Sequence, residues 1–127
     1  MNIKVTSVMV TDQARALQFY TEVLGFVKKT DIPLGEHSWL TVVAPDERDG
    51  VELLLEPLGF APARTYQQAL FEAGIPLATF NVADVQREYE RLLALGVRFS
   101  MPPTPMGAVT LAVLDDTCGN YIQLVQV

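Results

Sequence analysis

The chain has 127 residues, half of them hydrophobic, with a net charge of −6 and one cysteine. That length suits one domain with a proper core. The acidic balance argues against nucleic acid or an anionic membrane surface as partner, and Lys28-Lys29 is the only basic doublet. Cys118 by itself cannot close an internal disulfide, which suits a reducing compartment. No signal-like block stands at Met1-Asn2-Ile3-Lys4, and no apolar run approaches the ~20 residues that span a bilayer. A cytoplasmic location, with no membrane partner, is therefore the expectation.

In chain order, the β-branched run Ile3 to Val10 predicts a buried strand. Thr11 or Asp12 caps a helix in which Leu17, Tyr20 and Leu24 fall at helical spacing, and Gly25 ends it. Phe26 to Thr30 reads as a strand and Ile32-Pro33-Leu34-Gly35 as a turn with Pro at its second position. Strands follow at His37 to Val43 and Val51 to Glu56, joined by a polar loop from Ala44 to Asp49. Residues 57–75, rich in Pro and Gly, read as a linker with one helical patch from Tyr66 to Glu72.

The second half repeats the order. Leu77 to Val82 is a strand, Asp84 to Leu95 a helix with Val85, Tyr89 and Leu92 inward, and Val97 to Met101 a strand. Pro102, Pro103 and Pro105 form a stiff connector, and Gly107 to Leu114 and Tyr121 to Val125 are the last strands. The halves also echo each other in detail. Val10-Thr11-Asp12 with Leu24-Gly25-Phe26 is answered by Val82-Ala83-Asp84 with Leu95-Gly96-Val97. Gly50 to Leu55 is answered by Gly119 to Leu124. So long a repeat is one module used twice, not a solenoid unit. The expectation is a single α+β domain of two pseudo-symmetric β-α-β-β-β modules, 1–56 and 76–127 with the linker 57–75, curling mixed sheets around a shared cavity.

On these residues the chain resembles the vicinal oxygen chelate superfamily, whose members include glyoxalase I, extradiol dioxygenases and bleomycin-resistance proteins. The resemblance rests on Ala16, Phe19-Tyr20 and Leu24-Gly25-Phe26, on Leu95-Gly96-Val97, and on Asp115-Asp116 with Gly119 to Leu124. It implies the paired-module fold and a homodimer. It also implies where a metal would sit in metal-dependent members: one side chain from the first and fourth strand of each module. Here those positions are Val5, Leu54, Leu77 and Gln123. Three aliphatic groups and one amide do not make a site for a divalent metal, so neither a metal nor any other cofactor is expected, and glyoxalase I activity is not supported.

Other residues offer chemistry, each with a plainer alternative. His37, Trp39 and Thr41 alternate onto one strand face, so His37 is either a recognition or acid–base histidine beside an aromatic wall or an edge residue at a hairpin mouth. Glu56 is either a general base in an apolar cavity or a solvated strand end, and Glu52 reads as a rim charge. Gln123 either bonds a ligand or is satisfied by water. Met9, Trp39 and Tyr121 are expected to line the cavity, with Phe60 and Phe71 closing it from the linker. A replacement metal site would need Glu56, Gln123 and His37. Cys118 lacks an activating neighbour, and no hydrolase triad or phosphate loop is present.

The reading that follows is a metal-free binding module for a small organic molecule. Its candidate ligand-binding residues are Met9, His37, Trp39, Glu56, Phe60, Tyr121 and Gln123. The alternative is a lyase or isomerase acting on a small carbonyl compound through a metal or a carboxylate base, with Glu56 and His37 as candidate catalytic groups. A third reading is a structural dimer with a vestigial cavity.

Overall fold

The computed structural model describes all residues, Met1–Val127. They fall into two compact units, Met1–Arg64 and Thr65–Val127.

The first unit holds β1 (Val5–Val10), α1 (Gln13–Gln18), β2 (Val27–Leu34), β3 (His37–Val43) and β4 (Glu52–Pro57). Asp12 starts α1: its backbone is extended, and its carboxylate accepts the Arg15 N–H at 3.1 Å. The helix then widens into a π-helical turn over Phe19–Val23, closed by the Leu24 N–H on the Phe19 carbonyl at 3.0 Å. Gly25, at φ +93°, ends it, and the Phe26 N–H turns back onto the Tyr20 carbonyl. The strands form a four-stranded sheet in the order β1-β4-β3-β2, with β1 and β4 parallel and the other pairs antiparallel.

Alternation along these strands sorts their side chains onto two faces. Val8, Val10, Leu40, Val42, Leu53 and Leu55 are buried on the face that α1 covers, as are Ala16 of α1 and Tyr20 of the π-helical turn. Each such apolar side chain contributes roughly 1.5–3 kcal/mol relative to exposure. The other, open face carries Met9 and Glu56 as register partners, Val5 beside Glu52, and Ser7 beside Leu54 beside Thr41.

The second unit repeats the plan with most of α2 (Ala61–Glu72), then β5 (Ala78–Asn81), α3 (Val85–Ala94), β6 (Phe99–Met106), β7 (Val109–Asp115) and β8 (Tyr121–Gln126). Asp84 caps α3 by accepting the Arg87 N–H at 3.0 Å, as Asp12 caps α1. The sheet order β5-β8-β7-β6 mirrors the first, with β5 and β8 parallel. Val85 and Leu92 of α3 are buried, as are Ala112, Leu114, Ile122 and Leu124. Tyr89 packs edge-on against Phe99, with ring centroids 4.7 Å apart.

Three local expectations shift. The turn expected at Ile32–Gly35 is strand: β2 runs through Pro33 to Leu34, and the reversal is a two-residue hairpin at Gly35-Glu36, with Gly35 at φ +64°. The connector expected at Pro102–Pro105 is likewise strand β6. Both are edge strands, where a proline lacks no ladder hydrogen bond that the sheet needs. Helix α2 begins at Ala61 rather than Tyr66, because Pro62 is admissible in a first turn.

Candidate functional site

On the open face of the first sheet, Glu56 sits opposite Met9. Trp39 alternates onto the same face from β3 and is 38% exposed. His37 lies at the hairpin end, opposite Leu34, and is exposed. Strands β3 and β4 pair only at Thr41–Leu54 and Val42–Leu53. Beyond that the ladder is bridged by a side chain. The Gln13 carboxamide accepts the Ser38 N–H at 3.0 Å and donates to the Ser38 and Leu55 carbonyls, each at 2.8 Å. Its amide stands in for the missing rungs and fixes the backbone next to Trp39 and Glu56.

A polar chain crosses the same face. The Thr41 hydroxyl, fully buried, donates to Glu52 Oε1 at 2.7 Å. It accepts the Thr30 N–H at 3.2 Å and lies 2.6 Å from the Thr30 hydroxyl. Glu52, expected to be a rim charge, is thus half-buried and held in place. No hydrogen bond or ion pair orients Glu56 or His37.

In the second unit, Tyr121 and Gln123 share the face of β8 opposite α3. The Gln123 amide donates to the Thr79 hydroxyl at 3.2 Å, across the parallel pairing of β8 with β5. Tyr121 stacks on Phe71 of α2, with centroids 4.3 Å apart and planes 6° from parallel. One turn back on α2, Gln67 is buried, and its amide donates to the Asn120 side chain at 3.0 Å and the Cys118 carbonyl at 3.3 Å. Asn120 in turn donates to the buried Asp116, whose other oxygen accepts the Cys118 and Asn120 N–H groups. A Cβ on Gly119 would stand 2.8 Å from Gln67, so glycine there is what lets α2 approach the β7–β8 loop. The Phe60 carbonyl accepts the Ala63 and Arg64 N–H groups at the start of α2, and the residue is 71% exposed.

Gln13, Thr30 and Gln67 were not among the residues singled out from the sequence, whereas alternation did put Thr41 on the face of Trp39, without its bond to Glu52.

The positions to which the resemblance assigns a metal do not fit one here. Val5 lies opposite Glu52, Leu54 opposite Ser7, Gln123 opposite Thr79, and the Leu77 N–H bonds the Tyr121 carbonyl at 2.9 Å. Three of these side chains have no donor atom, and no group of three or more His, Cys, Asp or Glu residues gathers anywhere in the chain.

Paired β-α-β-β-β units with capped helices at matching positions define a class of fold. The chain belongs to the Glyoxalase/Bleomycin resistance protein/Dioxygenase superfamily, whose family model matches residues 2–124. It is 56% identical over 126 residues to the uncharacterized protein YurT of Bacillus subtilis (strain 168), covering 99% of both chains. Among solved structures, UcmS2 superposes with a TM-score of 0.86 at 31% identity, covering 100% of this chain and 98% of that one. TnmS3, an antibiotic binding protein from Streptomyces sp. CB03234, superposes with a TM-score of 0.76 at 27% identity, covering 99% and 95%. No helix is long and apolar enough to cross a membrane.

Proposed function

We propose that this protein is a binding module that holds a small organic molecule on the open face of a sheet, without a metal ion. The observation that carries the reading is the exchange of chemistry at the open faces of the sheets. Where a catalytic member would offer four metal donors, this chain offers Val5, Leu54, Leu77 and Gln123. The same faces present Trp39, Met9 and the Tyr121–Phe71 stack, which suit a planar or apolar ligand. The likeness to TnmS3, an antibiotic binding protein, supports the same ligand class.

A carboxylate-base enzyme is the weaker reading, because Glu56 and His37 lack any partner that would orient them for proton transfer. A cytoplasmic homodimer, as the resemblance to the superfamily implies, accompanies the proposal. Thermal unfolding against a panel of planar aromatic antibiotics tests the binding reading. At least one member should raise Tm in proportion to the logarithm of its concentration and be recovered unchanged. Consumption of the compound would move the assignment to an enzyme.

A further inference from the structure

We infer that helix α2 is a detachable strap, fastened to the second unit at Gln67: it lifts away while the sheet stays folded, and lifting uncovers the ring of Tyr121. This goes beyond the binding reading, and its test needs no ligand.

The first support is how little apolar surface docks the helix. Of the twelve residues Ala61–Glu72, the one that is buried is a glutamine, Gln67. Leu70 and Phe71 are half-buried, and Tyr66 is exposed. By contrast, α3 buries Val85 and Leu92, and α1 buries Ala16 and runs into the buried Phe19 and Tyr20. Burial of apolar side chains is what chiefly holds a helix to a sheet, and a helix as short as α2 is marginal in water without it.

The second support is the kind of fastening α2 has instead. The Gln67 amide donates to Asn120 Oδ1 at 3.0 Å and to the Cys118 carbonyl at 3.3 Å. Four residues on, and so on the same helix face, Phe71 stacks on Tyr121 with centroids 4.3 Å apart. These contacts fix where the helix docks. They hold it modestly, because the groups that Gln67 bonds recover water when the helix lifts, so the net loss per hydrogen bond is small.

The third support is that the receiving loop keeps its own shape. Asp116 accepts the Cys118 and Asn120 N–H groups at 2.8 and 3.0 Å and the Asn120 side-chain amide at 2.8 Å. Its own N–H donates to the Asn120 carbonyl at 3.0 Å. The loop between β7 and β8 is thus closed on itself, and Asn120 and Cys118 stay in place to receive Gln67 again. On either side of the helix, Gly59 and Gly74 have open space where a Cβ would stand, so nothing crowds the chain at its two ends.

The consequence falls on Tyr121. Phe71 lies 6° from parallel over one face of its ring. A flat molecule can take that face only when α2 has lifted, so the strap gates it.

Native-state hydrogen exchange on the full chain, resolved by residue and followed through low urea concentrations, tests the strap. Amides of residues 66–72 should be about a hundredfold or more less protected than the slowest amides of β7 and β8, and nearly insensitive to urea. The slowest strand amides should lose protection steeply with urea, because they wait for global unfolding. Gln67→Ala should speed α2 exchange roughly tenfold. It should also move the Tyr121 ring-proton resonances toward those of an unstacked tyrosine. Exchange from the unaltered protein decides the matter even if Gln67→Ala folds poorly. Protection in α2 equal to that of the slowest strand amides, with the same urea slope, would overturn the strap, since the helix would then leave only as the chain unfolds. No protection in α2 at all would overturn it too, because nothing would be fastened. Unchanged α2 exchange in a folded Gln67→Ala variant would remove Gln67 as the fastening.

Discussion

The side chains with most consequence are those whose hydrogen bonds cannot be replaced by water. Thr41 is one: fully buried, it links Thr30 to Glu52. Thr41→Val keeps the shape and removes the hydroxyl, so the Thr30 and Glu52 groups lose a partner. A loss of about 1–3 kcal/mol in chemical denaturation is expected. A Thr41→Val variant as stable as the parent would show that Glu52 is not held by this contact. Gly119 is another. It has φ +95°, and an added Cβ would meet Gln67 at 2.8 Å. Gly119→Ala should cost roughly 1–3 kcal/mol from strain and crowding. Adding Gln67→Ala relieves the crowding but also removes the bonds of Gln67 to Asn120 and Cys118, so the double variant should stay well below the parent. Full recovery of stability in that double variant would mean that neither the positive φ nor those bonds contribute.

Among the elements, α1 and α3 were legible, while the start of α2 and the proline-bearing parts of the edge strands β2 and β6 were not. Asp12 and Asp84 announce both helix starts, and Gly25 and Gly96 both ends, because caps are local chemistry. Asp84→Ala should destabilise the chain by about 1 kcal/mol, measured by urea unfolding. Pro33 and Pro102 to Pro105 misled because proline is read as punctuation, whereas only a tertiary fact, that β2 and β6 are edges, makes it compatible with a strand. The role of Gln13 was equally hidden. Nothing in its neighbourhood marks a side chain that crosses to Ser38 and Leu55, more than twenty residues away in each case. Gln13→Leu should leave the Ser38 N–H and two carbonyls short of partners and cost about 1–3 kcal/mol. It should also shift the Trp39 emission maximum, because Ser38 is its neighbour. An unchanged spectrum would detach the Gln13 bridge from the site.

For the molecule as a whole, the internal repeat carried the fold. Two modules with one register could be recognised because alternation and capping recur at corresponding positions in both halves. The site was only partly legible. Aromatic and charged residues on strand faces follow from a period of two, which placed Met9, Trp39, Glu56, Tyr121 and Gln123. The Thr41–Glu52 bond and the Phe71–Tyr121 stack depend on contacts between distant segments, and no local pattern encodes those. The superfamily likeness settles the scaffold, while chemistry belongs to the residues grafted on it. On those residues the account departs from the metal-dependent branch.

The most direct test of that departure is thermal unfolding of protein purified without a metal-affinity tag. Each planar aromatic compound is scanned once in excess chelator and once with added nickel, zinc, manganese or iron. A compound at about one hundred times its Kd stabilises a folded chain by about 2.7 kcal/mol, well within reach of a Tm shift. A metal-free binding module should show that shift in chelator, undiminished by the absence of metal, and no rise with metal alone. A rise that grows with metal concentration, or ligand stabilisation that vanishes in chelator, would contradict it and make Val5, Leu54, Leu77 and Gln123 the wrong positions to have judged the site by.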